Sequence, residues 1–71
     1  MNERPKLNDV VAFLADVPAA KVLRGQVGTV VDVLPDDTML IEFADDNGRA
    51  SAITPVEIAK LLVLQYEQEV V

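Results

Sequence analysis

Arg24-Gly25-Gln26-Val27-Gly28-Thr29-Val30-Val31-Asp32-Val33 turns sharply and then extends. Two glycines three positions apart allow a tight entry turn and a close approach to a neighbouring strand. Val27, Thr29, Val30, Val31 and Val33 then favour an extended backbone, because β-branched side chains suit a pleated surface. A strand from Gln26 to Leu34 follows. Val27, Val31 and Val33 share one parity and are expected to face the core, with Val30 on the other. A bulge or strong bend near Gly28 to Val30 would bring Val30 inward as well.

Outward from this strand, the chain offers more short strands and tight turns. Asp9-Val10-Val11-Ala12-Phe13-Leu14 has Val11 and Phe13 on one face and Val10, Ala12 and Leu14 on the other. A short helix competes here, since Ala12, Leu14 and Ala15 are good helix formers; the β-branched pair favours a strand. Asp16 to Arg24 is a loop broken by Pro18, with Val22 or Leu23 tucked beneath the core. Pro35-Asp36-Asp37-Thr38 reads as a hairpin connection. Met39 to Ala44 is the third strand, with Met39, Ile41 and Phe43 inward and Leu40 and Glu42 outward. Asp45-Asp46-Asn47-Gly48 is a hairpin turn, because Asn47 and Gly48 tolerate positive φ. Arg49 to Ile53 is the fourth strand, paired with the third.

Thr54-Pro55-Val56-Glu57 has the form of a helix start, with Thr54 as cap and Pro55 at the first position. Only one turn fits before Leu61, so a 3₁₀ or single α turn is expected. Leu61-Leu62-Val63-Leu64 is the fifth strand. Residues 1–7 read as a flexible lead-in, 8–65 as the folded unit and 66–71 as a tail. The whole describes an all-β protein: a small five-stranded antiparallel barrel with one helical turn before its last strand.

Composition narrows the functions. Seventy-one residues make one domain, with stability of about 3–5 kcal/mol unless it oligomerises. No cysteine or histidine is present, which removes thiolate chemistry, the usual general base and the commonest metal ligands. Twelve acids against six bases give a net charge of −6, which repels a phosphate backbone on average. The start lacks the apolar run of a signal peptide, and no apolar run approaches the ~20 residues of a membrane span. A soluble, cytoplasmic protein is the expectation.

Leu7-Asn8-Asp9-Val10-Val11, Arg24 to Val31, Ile41-Glu42-Phe43-Ala44-Asp45 and Leu61 to Leu64, in that order, resemble the short bacterial family DUF4926 over residues 7–64. The same order of elements resembles an SH3-like barrel. The family resemblance implies that fold and carries no assigned activity or functional residues. Arg49 to Ile53 holds small residues where the family has an aromatic, so no aromatic groove is implied. The Gly25–Val31 string is also similar to the KOW element of ribosomal and transcription proteins, which implies RNA or protein binding.

The remaining constellations favour bland readings. Asp45 to Gly48 lacks the alternating acids and distal Glu of a calcium loop, so solvated turn acids are expected and no metal. Asp36 and Asp37 are adjacent turn acids that point apart, unsuited to acid–base work. Lys21, Arg24 and Arg49 form a small basic group better explained by pairing with Asp32, Asp45 or Asp46 than by nucleic acid, since no aromatic platform accompanies them. Ser51 has neither histidine nor nucleophile elbow. No enzyme and no cofactor are expected. Leu40 and the Leu61–Leu64 run leave more apolar surface than so small a barrel can hide; core filling is one reading of them, and a partner or self-association face is the other. Leu40, Leu61 and Val63 are the candidate partner-binding residues, on an apolar patch or strand edge contacting another protein or a second copy. Size and acidity suit a regulator, inhibitor, or immunity- or antitoxin-like partner of a basic protein. A KOW-like nucleic-acid module is the alternative.

Overall fold

The structure is a computed structural model and describes residues 4–44 and 51–64. Five antiparallel strands form one sheet: β1 (Val10–Phe13), β2 (Val27–Leu34), β3 (Thr38–Ala44), β4 (Ser51–Glu57) and β5 (Leu61–Val63). Their order across the sheet is β4-β3-β2-β1-β5. The sheet is open, with β4 and β5 as its edges. The all-β, five-stranded antiparallel architecture is the expected one, but among the described residues no ladder joins β4 to β5, so the sheet is not closed into a barrel. Two short 3₁₀ turns, Pro18–Ala20 and Ile58–Lys60, are the only helical elements among the described residues.

The strand reading of Val10–Phe13 holds, and its alternation is the expected one: Val11 and Phe13 are buried. β2 differs. Val30 is fully buried, whereas Val27 and Val33 are each 49% exposed. Before the bulge, the majority parity of valines is therefore the wrong guide to the inner face. The glycine is the better one. A Cβ on Gly28 would stand 2.6 Å from the Ile41 Cγ2 and 2.7 Å from the Glu42 carbonyl oxygen. Only a residue without a side chain fits there, so Gly28 and, two residues on, Val30 face inward. Gly25 serves differently: its φ of 91° makes the left-handed entry turn.

The expected irregularity lies just beyond Val30. Val30 pairs with Ile41 and Asp32 with Leu40, so Val31 is the extra residue of a bulge. The bulge resets the pleat and sets Val33 opposite Met39. Inward residues of all five strands then meet: Val11, Phe13, Val30, Met39, Ile41, Phe43, Val56 and Leu61, joined by Val22 from the β1–β2 loop. Phe13 on β1 and Phe43 on β3 reach one another across β2, edge to face at 6.0 Å and 80°. Gly28 lies opposite Val11 on the intervening strand, where a Cβ would also stand 3.4 Å from the Phe43 Cβ.

The long loop closes on itself. Val17 and Val22 exchange backbone hydrogen bonds at 2.9 and 3.1 Å around the first 3₁₀ turn. Of the two residues considered for the loop's anchor, Val22 is buried and Leu23 exposed.

Thr54 to Glu57 corrects the expected helix start. These residues continue β4, with Thr54 buried opposite Ile41 and Val56 opposite Met39. Pro55 mimics a first helical position in sequence, yet an edge strand tolerates a residue lacking N–H. The helical turn arrives three residues later, where the Ile58 N–H donates to the Asp37 carbonyl at 2.9 Å. The Asn47-Gly48 turn, Arg49 and the 66–71 tail lie outside the described residues.

Candidate functional site

Residues directly opposite in a ladder share a face, and neighbours along a strand alternate. The registers therefore define the outward face. One row runs Leu62–Ala12–Val27 across β5, β1 and β2. The next runs Val10–Thr29–Glu42–Ile53 across β1 to β4. Leu64 extends this row, since its N–H donates to the Val10 carbonyl at 2.9 Å. A third row is Asp32–Leu40–Pro55. Val27, Ile53 and Leu62 are exposed, while Val10, Ala12, Leu40 and Leu64 are half-buried.

This face recasts the candidate residues. Leu40 lies on it, outward as expected. Leu61 does not: it is 1% exposed, opposite Phe13, and belongs to the core. Val63 faces the same way, opposite Val11, and packs against the core. Their neighbours Leu62 and Leu64 hold the outward positions. An apolar run such as Leu61–Leu64 has no internal parity mark, and the sequence pattern alone does not say which half is inward.

Among the described residues, charge on the face has one sign. None of the five strands contains lysine or arginine, whereas Asp32, Glu42 and Glu57 occupy exposed positions on β2, β3 and β4. Glu42 stands between Thr29 and Ile53. The one ion pair among the described residues lies elsewhere, where the Arg4 guanidinium donates to Asp37 at 2.7 Å. Lys21 and Arg24, expected to pair with acids, make no ion pair among the described residues. The Arg24 backbone N–H instead donates to the Asp16 carboxylate at 2.7 Å.

The strand edges suit pairing with another chain poorly. β4 carries Pro55, which cannot donate to a new ladder, and β5 is three residues long. A groove beside the first 3₁₀ turn, lined by Asp16, Pro18, Lys21, Val22 and Leu23, offers one acid and one base. Among the described residues no group of three acids converges as metal ligands would. No helix among them is long and apolar enough to cross a membrane.

The model of the family described as a domain of unknown function, DUF4926, matches residues 7–63 of the 71. The chain belongs to the DUF4926 family. The match covers all five strands, both 3₁₀ turns and the bulge at Val31, so the outward face lies almost wholly within the DUF4926 domain. No curated protein and no solved structure matches the chain.

Proposed function

We propose that this DUF4926 protein is a non-enzymatic, cytoplasmic protein-interaction module. It would act as a regulator or inhibitor of another protein, in the manner of an immunity protein or antitoxin. One observation carries the reading: an exposed sheet face whose rows Leu62–Ala12–Val27 and Val10–Thr29–Glu42–Ile53 are mostly apolar and uncovered among the described residues. Contiguous exposed apolar surface of this kind commonly marks an interaction site. The chain's lack of histidine and cysteine supports a role without covalent or acid–base chemistry.

A KOW-like nucleic-acid module is the weaker reading. Its strands would present Asp32, Glu42 and Glu57 to a phosphate backbone and no base to neutralise it.

Affinity capture of the tagged chain from the cells that produce it, with the mass of the captured complex measured, tests the reading. A single protein retained in fixed stoichiometry is the expected result. A strictly monomeric mass in extract, with nothing retained, overturns it.

A further inference from the structure

We infer that the outward sheet face centred on Glu42 is the docking surface, and that its occupant is a protein segment interleaving lysine or arginine with apolar side chains. This rests on the interaction-module reading and names the surface and the chemistry of the partner.

Three observations converge. Apolar residues recur on the face from Leu62 on one edge strand, through Ala12, Val27 and Val10, to Ile53 on the other, with Thr29 and Glu42 standing between Val10 and Ile53. Among the described residues the charges on it are all acidic, and none of Asp32, Glu42 and Glu57 is ion-paired. Glu42 sits inside the patch instead of at its rim, flanked by Thr29 and Ile53. An acid in the middle of an apolar docking surface leaves a carboxylate to be desolvated, which is costly unless the arriving surface supplies a cation. A second copy of this chain brings another Glu42 and a further net charge of −6, and so repels. A basic, apolar segment satisfies both parts of the face at once. It also draws on the long-range field of an acidic protein, which speeds encounter with a cationic partner.

A synthetic peptide alternating leucine and lysine serves as probe, with a leucine–glutamate peptide of equal length as control. Binding to the full chain is followed by amide chemical shifts and by titration. The lysine peptide is expected to shift the amides of Ala12, Thr29, Leu40, Glu42 and Ile53, and the glutamate peptide to shift none. The triple variant Asp32→Asn, Glu42→Gln, Glu57→Gln keeps the fold, as its spectrum checks, and binds the lysine peptide at least tenfold more weakly. Shifts confined to Lys21, Val22 and Leu23, or an unchanged affinity in the triple variant, overturn the inference. So does a concentration-dependent mass of the free chain with face amides shifting in step, which assigns the face to a second copy. Failure here is separable from failure of the module reading: a captured native partner that survives the triple substitution sinks the surface and leaves the module.

Discussion

Gly28 and Ile41 approach so closely that a Cβ on the glycine would stand 2.6 Å from the isoleucine Cγ2. The same Cβ would meet the Glu42 carbonyl oxygen at 2.7 Å, and a backbone atom cannot swing aside. Gly28→Ala is therefore expected to cost about 2–3 kcal/mol or to prevent folding. Gly25→Ala meets no atom within 4 Å but must hold a φ of 91°, and costs about 1–2 kcal/mol. Urea unfolding of both variants, followed by circular dichroism, checks the order. Equal and small losses would contradict the close packing of β2 on β3.

The valines of β2 divide by burial. Val30→Ala removes fully buried methyl groups and is expected to cost about 2 kcal/mol. Val27→Ala, at a half-exposed position, costs under about 0.5 kcal/mol. The midpoints of chemical unfolding separate these outcomes, and the reverse order would place the wrong face inward.

How far the sequence announces this arrangement depends on what each segment carries as a mark. Met39, Ile41 and Phe43 alternate with Leu40 and Glu42, and the charge on Glu42 labels the outside plainly. β2 has valine on both faces, so its parity is legible only from Gly28, and only once the neighbour it must touch is known. The bulge at Val31 further breaks the period that parity depends on. Thr54-Pro55-Val56-Glu57 misleads for another reason: a cap-like pattern and an edge strand with proline use the same letters. Edge position is a property of the whole sheet and is invisible locally. The candidate site suffers in the same way. Leu40 was legible because Glu42 marks its face, whereas Leu61 and Val63 sit in a run without polar punctuation.

That ambiguity in β5 yields its own prediction. Leu61→Ala is expected to cost about 2–4 kcal/mol, since it empties a core position against Phe13. Leu62→Ala, whose residue is 38% exposed on the outward row, costs less than about 1 kcal/mol. Thermal melts of the pair check the assignment.

The β2–β3 turn stores a different kind of constraint. Asp36 and Asp37 both adopt left-handed backbone angles, with φ of 62° and 56°. Short polar side chains tolerate this region and β-branched ones do not. Asp36→Val is expected to destabilise by about 1–2 kcal/mol and Asp36→Asn to be nearly neutral. Arg4→Ala, which removes the ion pair to Asp37 at the surface, changes stability by less than about 1 kcal/mol. Asp37 also receives the Ile58 N–H through its carbonyl, a bond that the Arg4 substitution leaves in place.

Thiol labelling tests the two-faced sheet most directly, because the chain has no cysteine of its own. Single substitutions Val27→Cys, Ile53→Cys and Leu62→Cys place a thiol on the outward rows, and Val30→Cys, Val56→Cys and Leu61→Cys place one in the core. The outward thiols are expected to react with a maleimide at nearly the rate of the unfolded chain, and the inward ones only as the protein unfolds. Protection at Ile53 and Leu62 together with fast labelling at Val30 and Leu61 would contradict the account.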